Sequence, residues 1–391
     1  MTATPPVLIA GGGIGGLSTA IALANHGIPS RVLERRSQFS EAGAGIQLGP
    51  NGVRALRRLG IARDLEPNAG QPHEIKVFSG GSGVVLTRLP LGDWIEARHG
   101  APYWVVHRQD LQESLLMGAR RSGLIELVPG FEVVIFVTGS EAVRIEGSNG
   151  AAAEGRALVC ADGVFSRLRA QIDGRARLRF AGKTAARAVL DASVAAPILD
   201  AEAIGVWMAP NVHVVHYPVR GGREIAVVVI MDEYWQGEEW SAPADPARLQ
   251  AALAPFAPSL QAALAPITDW RRWALFDREP LAKWSLGRAT VLGDAAHPLL
   301  PFLAQGGSLA LEDGVTLADT LAAAGEDVEI GLATYEQARR VRTTRVMAAA
   351  RRNGRIYHLS GVAALARNAV LRALPPAQIM AGYDWVYSWK G

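Results

Sequence analysis

Residues 7–34 read VLIAGGGIGGLSTAIALANHGIPSRVLE, and this stretch decides the fold. Val7–Ala10 is a short apolar run suited to a buried parallel strand. Ile14–His26 then places Leu17, Ala20, Ile21 and Ala24 on one helical face, and Gly27 and Pro29 stop it. Ser30–Glu34 is a second strand, so the chain opens with a βαβ unit. Between strand and helix, Gly11, Gly13 and Gly16 form G-x-G-x-x-G. The first glycine allows a tight turn, the second lets backbone approach a pyrophosphate, and the third lets helix and strand pack closely. Free N–H groups at the helix start suit phosphate. Glu34, with Arg35 beside it, ends the second strand, where an acid can reach an adenosine ribose. An ordinary Gly-rich turn is the alternative in a chain with 42 glycines. The agreement of strand, turn, helix, strand and acid favours a dinucleotide site, with NAD and FAD both open.

Outward from this unit the pattern changes character. Glu74–Leu89 shows short β segments with Gly turns, such as SGGSG at 79–83, and Gln109–Arg121 is helical. Several β runs follow, ending in Ala157–Cys160. Ile204–Met208, Val212–Tyr217 and Glu224–Met231 alternate as strands, with RGG at 220–222 turning between the last two. Pro246–Leu264 is a helix interrupted by Pro255 and Pro258, Ala289–Leu292 a buried strand, and Ser308–Ala323 and Ile330–Arg352 are helices. The expected fold class is α/β: a Rossmann-like nucleotide-binding domain, an inserted β-sheet domain and a helical tail. The expected division is 1–73, 98–175 and 276–325 for the nucleotide domain, 74–97 and 176–275 for the inserted sheet, and 326–391 for the tail.

Composition narrows the class of protein. The 391 residues are 49% hydrophobic and 20% charged, enough for sizeable cores. A net charge of +3 is too small and dispersed to suggest nucleic acid. Cys160 is the only cysteine, which excludes an intrachain disulfide and a cysteine-ligated metal, and no metal site is expected. MTATPP leaves no room for a signal peptide, and no apolar run is long enough to span a bilayer, so a cytoplasmic protein is expected. The arginines of 339–345 and 351–355 fall on the tail helices, where a solvated or interface face is the expectation.

Two later segments narrow the cofactor. Leu158–Arg169 reads LVCADGVFSRLR, a strand running into Asp162-Gly163. Ala289–Gly307 reads ATVLGDAAHPLLPFLAQGG, a strand running into Gly293-Asp294, then a Pro-rich loop, then Gly306 and Gly307 opening a helix. An Asp at a strand end can accept hydrogen bonds from a polyol such as ribitol. The positive end of a helix dipole suits the negative charge of a reduced flavin, and a nicotinamide ring has no such need.

With these motifs in order, the chain resembles the single-component, class A FAD-dependent aromatic monooxygenases. GGGIGG at 11–16, ADG at 161–163 and GDAAHP at 293–298 match the family's three FAD motifs. HRQDL at 107–111 matches a fourth, whose Arg108 would contact the cofactor, and GAGIQLGPN at 43–51, with Gly45, matches the loop beside the isoalloxazine. The resemblance is nearest the salicylate, 3-hydroxybenzoate 6- and 6-hydroxynicotinate 3-monooxygenases. It implies FAD as cofactor, NADH or NADPH and O2 as co-substrates, and hydroxylation of a small phenolic ring through a flavin C4a-hydroperoxide. Asp294 would bind the ribitol, Gly306 and Gly307 the flavin pyrimidine, and Asp162 and Gly163 would lie near the pyrophosphate. A homodimer is the default assembly.

Val212–Tyr217 reads VHVVHY. Alternation puts His213, Val215 and Tyr217 on one face and Val214 and His216 on the other. His213 and Tyr217 then stand roughly 13 Å apart, far enough to flank a ring. In the resembling branch a His and a Tyr at this spacing line the substrate pocket. By that resemblance His213 is the base or hydrogen-bond partner for a substrate hydroxyl, and Tyr217 a second polar contact. Each has a plain structural alternative, as a sheet histidine and a core aromatic. His216 and His297 are expected to be structural, and Tyr103 is a further pocket candidate. Pro301 and Phe302 occupy a catalytic stretch where relatives can place polar groups, which makes this pocket more apolar on that side. Another FAD reaction on the same fold, such as epoxidation or dehydrogenation, and a non-enzymatic redox sensor are the rival functions.

Overall fold

A computed structural model describes residues 5–39, 45–174, 177–195, 197–235 and 240–391. The first sheet has six strands in the order Ser285–Leu286, Ala289–Val291, Ala157–Cys160, Val7–Ala10, Ser30–Glu34 and Ile125–Pro129. All neighbours are parallel except the first pair, which is antiparallel. Val7–Ala10 and Ala157–Cys160 are buried along their whole length, as expected of parallel strands covered on both faces. Register places Ala10 beside Cys160, and Cys160 beside Val291. The carboxyl ends of three strands far apart in sequence are therefore side by side. In open α/β sheets the ligand crevice lies outside such ends, where the strand order reverses.

The second sheet has eight strands, drawn from residues 74–90 and 179–277. Its order is Ser241–Pro243, Arg271–Asp277, Arg179–Asp191, Glu224–Asp232, Val212–Val219, Ala203–Ala209, Glu74–Ser79 and Val85–Pro90. The helices Pro246–Leu253 and Pro258–Leu264 close its outer face over Trp207, Val214 and Val229. Pro255 in the break and Pro258 at the first turn of the second helix explain why one helical pattern yields two helices. The inner face, with Val206, Met208, Tyr217, Val228 and Ile230, packs towards Phe302 and the C-terminal residues Met380, Val386 and Tyr387.

Helix Gly306–Ala324 lies against Ile14–Asn25, and a Cβ on Gly314 would press on Ser18 and the Thr19 amide. The 30-residue helix Val328–Tyr357 runs over Gly306–Ala324 and joins the same core through Val328, Leu332 and Tyr335. Here the expectation of a solvated arginine face needs correction. Arg339 is 1% exposed; its Nε donates to Asp313 Oδ1 at 2.6 Å and its Nη1 lies 2.7 Å from Glu312 Oε2. Arg342 donates from Nε to Glu312 Oε2 at 2.7 Å, and Arg351 from Nε to Asp277 Oδ2 at 2.7 Å. The physical reason is the Glu312-Asp313 pair on the facing helix, which gives buried cations a partner. Arg340, Arg345, Arg352 and Arg355 do stay exposed. No helix among the described residues is long and apolar enough to cross a membrane.

Removing one member of a buried ion cluster leaves the others uncompensated, at a cost of about 3–5 kcal/mol. Arg339→Met is expected to lower unfolding stability by that amount in a urea titration, whereas Arg340→Met, on the exposed face, changes it by less than about 0.5 kcal/mol. Equal effects of the two substitutions would contradict the burial.

Candidate active site

The three strand ends open into one cavity of about 1020 Å³, at the upper end of the size usual for a cofactor or ligand site. It runs from the glycine turn after the first strand to the inner face of the eight-stranded sheet. Among the sequence candidates, Gly11, Gly13, Glu34, Arg35, Gly45, Tyr103, Arg108, Asp162, Gly163, His213, Tyr217, Gly293, Asp294, Pro301, Phe302, Gly306 and Gly307 all line it. Gly16 stands behind it, where a Cβ would run into the Gly11 carbonyl; its part is close packing of helix on strand. Gly43 and Ala44 of the GAGIQLGPN segment lie outside the described residues.

At one end, Gly11 has φ +110°, which an L side chain rarely adopts, and its N–H donates to the Leu33 carbonyl at 2.8 Å. Glu34 Oε2 accepts the Gly12 N–H at 2.8 Å and Oε1 accepts the Arg36 N–H at 2.9 Å. The acid thus ties the second strand to the turn and stands at the cavity wall. On the neighbouring strand, Asp162 Oδ2 accepts the Arg167 N–H at 3.1 Å, while Oδ1 is buried with no hydrogen-bond partner in the protein. Burial pushes this carboxyl above its ordinary value, partly offset by nearby Ser166, backbone amides and Arg169.

The third strand leads to a loop held from beneath. Gly293 N–H donates to Asp313 Oδ2 at 3.1 Å, and His297 Nε2 lies 2.6 Å from the same oxygen. Burial alone would raise the Asp313 carboxyl, but His297 and Arg339 overcome it and hold it at about 2. Asp294 is exposed at the cavity, in a stretch whose neighbours Ala289–Gly293 and Ala295–Pro298 are buried. Past the turn Pro301–Leu303, Ala304 takes φ +50° and Gln305 leads into the helix at Gly306. Gln305 accepts the Asn51 amide at 2.8 Å, and its own Nε2 is buried without a partner. A Cβ on Gly306 would meet only open space and one on Gly307 would run into Ile46, so the first two helical residues border the cavity with backbone alone. These features fit a dinucleotide-linked ring: an acid for ribose, an acid for polyol, orphaned buried polar atoms, and two helix N-termini.

The far end of the cavity is an apolar chamber. His213, Val215 and Tyr217 line it, and Val214 and His216 point to the other side. His216 accepts the Trp207 indole N–H at 3.2 Å, and burial chiefly brings it down to about 4. Tyr217 donates its hydroxyl to the Gly45 carbonyl at 2.9 Å, and burial pushes it up to about 12. Tyr103 donates to Gln47 Oε1 at 2.7 Å and sits edge-on to Tyr387. His213 is 1% exposed; its Nδ1 lies 2.8 Å from His358 Nε2, and its ring is 5.5 Å from Phe302 and 5.3 Å from Tyr357. Burial first, then His358 and Lys183, push His213 well below its ordinary value.

Sequence reasoning missed Arg187, His358, Tyr357 and Tyr387. Arg187 lines the chamber from strand Arg179–Asp191, with its guanidinium 5.2 Å from the Trp273 ring centre and Nε buried without a hydrogen bond. A lone arginine at the inward alternation of an otherwise small, apolar run (AARAV at 185–189) was the available signal. Tyr357 and His358 had none, because their contacts arise only from packing across the molecule.

A crevice at the strand ends continuous with a buried apolar chamber suits a nucleotide-linked cofactor whose reactive end meets a small substrate. The comparisons agree. Residues 4–350 match the FAD binding domain family. The chain is 38% identical to the 3-hydroxybenzoate 6-hydroxylase of Polaromonas naphthalenivorans over 386 residues, covering 98% of this chain and 96% of that protein. It is 36% identical to the 3-amino-4-hydroxybenzoate 2-monooxygenase PtnB3 of Streptomyces platensis, covering 100% and 97%. The crystal structure of Klebsiella pneumoniae HpxO complexed with FAD and uric acid superposes with a TM-score of 0.86 at 26% identity, covering 99% and 97%. The chain belongs to the class A FAD-dependent aromatic monooxygenases, and it is an enzyme of the hydroxylase type.

The buried histidines set a pH dependence of stability. His213, His216 and His358 are all depressed by burial, so between about pH 6.5 and 4 the unfolded chain binds more protons than the folded one. Stability is full above about pH 6.5 and falls as pH drops towards 4. His216→Gln, on the face away from the chamber, is expected to shrink the difference between urea midpoints at pH 7 and pH 5. An unchanged difference would contradict a buried neutral His216.

Proposed function

We propose that the enzyme uses NADH or NADPH, FAD and O2 to hydroxylate a small phenolic ring seated in the chamber beside His213. The observation that carries this reading is the placement of an imidazole with one nitrogen committed to the protein and the other left for a ligand, in the same cavity as the Gly306 helix start. The relatives' names share an aromatic ring bearing both hydroxyl and carboxylate, and that substrate class suits the chamber. Its apolar walls, including Pro301, Phe302 and Val215, exclude water and bury a ring, and Arg187 offers a buried cation to an anionic group.

The chemistry FAD supplies when bound is acceptance of a hydride from the nicotinamide and activation of O2 for transfer of one oxygen atom to the ring. The chain's own residues hold it. Glu34 and Arg35 take the adenosine end, the amides after Gly13 the pyrophosphate, Asp294 the ribitol, and the amides of Gly306 and Gly307 the pyrimidine edge, where negative charge collects. Asp162, Gly163, Gly45 and Arg108 border the rest. His213 Nε2 accepts the phenolic proton, which makes the ring electron-rich at the carbon to be hydroxylated. Tyr217 and Tyr103, already bonded to Gly45 and Gln47, shape the pocket and fix the strand Gly45–Leu48 beside the flavin position.

The test is a panel of hydroxylated benzoates and hydroxypyridines, scored for stimulated NADH and NADPH oxidation together with product mass. At least one ring is expected to stimulate oxidation and gain one oxygen atom. His213→Ala is expected to lower coupled hydroxylation by about 10²-fold while FAD stays bound. Anaerobic reduction of the flavin by the organic substrate alone would instead mark a dehydrogenase.

A further inference from the structure

His213 does not stand alone. Its Nδ1 is 2.8 Å from Nε2 of His358, the residue that caps the C-terminus of helix Val328–Tyr357. His358 Nδ1 in turn lies 3.3 Å from Asp232 Oδ1 and 3.1 Å from Lys183 Nζ. Lys183 and Asp232 are direct cross-strand partners and form an ion pair. Exposure rises along this series, from 1% for His213 through 8% for His358 to a side chain 45% exposed for Asp232. The backbone fixes the middle member: Asn211 N–H donates to the His358 carbonyl at 3.4 Å, and Asp232 N–H donates to the Asn211 carbonyl at 3.0 Å. Arg367 clamps the same turn, donating to the Ile356 carbonyl at 2.9 Å and the Tyr357 carbonyl at 3.0 Å.

We infer that His358 is a positioning residue that relays the substrate's phenolic proton from His213 to Asp232 and solvent. This deepens the proposed hydroxylation and rests on its assignment of His213 as base. The step balances as one proton moved and none consumed. The phenol O–H bond breaks and its proton goes to His213 Nε2. The Nδ1 proton of His213 passes to His358 Nε2, and the Nδ1 proton of His358 passes to Asp232 or to water beside it. Moving together, the three transfers leave the substrate as phenolate and keep both imidazoles neutral, with their tautomers exchanged. Both end states are matched by partners: Asp232 accepts a proton-bearing Nδ1 of His358, and the Lys183 ammonium donates to a bare one.

The relay answers a difficulty that a lone base would face. His213 is enclosed by Phe302, Tyr357, Met208 and Ile230, with Lys183, His358 and the Tyr357 phenol as the charged or titratable groups beside it. Burial opposes holding an imidazolium there. His358 meets His213, Lys183, Asp232 and Arg367, and burial first, then Lys183, bring it to about 4 against the pull of Asp232. Neither ring is a place to store a charge, so a path that moves the proton through both suits the site.

The test uses FAD-bound protein in two arms. In the first, 15N-histidine NMR reads the tautomer of His213. The relay requires Nδ1–H directed at His358; an Nε2–H tautomer in the resting enzyme overturns it, whatever the substrate. In the second, 3-hydroxybenzoate with NADH probes wild type, His213→Ala, His358→Leu and His358→Gln. The His358 variants are expected to lose kcat by about tenfold or more at pH 7 with FAD content and KM unchanged. That loss should close near pH 10, where a phenol ionises unaided, and added imidazole should restore part of it to the leucine variant. If leucine prevents folding, glutamine keeps a polar contact with His213 and carries the same comparison. Profiles of kcat against pH that superimpose on wild type overturn the relay while leaving His213 as base. A His213→Ala variant that hydroxylates normally overturns that assignment and the relay with it.

Discussion

One buried carboxylate organises the molecule. Asp313 accepts the Gly293 amide and lies against His297, which holds the loop after the third parallel strand, and it takes the Arg339 guanidinium from the tail helix. Three elements meet on one side chain that is fully buried. Its neighbour Glu312 adds Asn51, Arg339 and Arg342, and Arg342 donates on to the Trp385 and Val386 carbonyls. A buried charge is tolerated only when its lone pairs are used, so the cluster fixes the loop, the helix start at Gly306 and the C-terminal segment together. Those are the parts that form one side of the cavity.

From that constraint the site follows. The parallel sheet supplies three adjacent strand ends, each followed by a glycine that lets backbone approach a ligand. The antiparallel sheet supplies a wall whose alternation sorts His213 and Tyr217 to the cavity side and His216 to the opposite side, against Trp207. The tail closes the chamber with Tyr357 and Tyr387. The enzyme class rests on the family match and the hydroxylase relatives, since the fold alone hosts many reactions.

Much of this was legible in the sequence, for identifiable reasons. Gly11, Asp162 and Asp294 each follow an apolar strand, so local pattern suffices to find them. The period of two places His213 and Tyr217 on a common face without knowledge of the neighbours. Arg339 and His358 behave differently. A helical arginine reads as solvated until the facing helix is known to carry Glu312 and Asp313. A histidine at a helix end reads as a cap until the strand bearing His213 is packed against it. Such residues are defined by partners 26 and 145 positions away, and no single-sequence pattern encodes that contact.

The most direct measurement of the central claim is the origin of the oxygen in the product. With NADH or NADPH and an accepted phenolic ring, turnover under 18O2 in ordinary water should place one heavy oxygen in the new hydroxyl group. Turnover in H2(18)O under ordinary O2 should place none. A hydroxyl oxygen drawn from water, or an oxidised product without an added oxygen atom, would contradict a monooxygenase acting in this chamber.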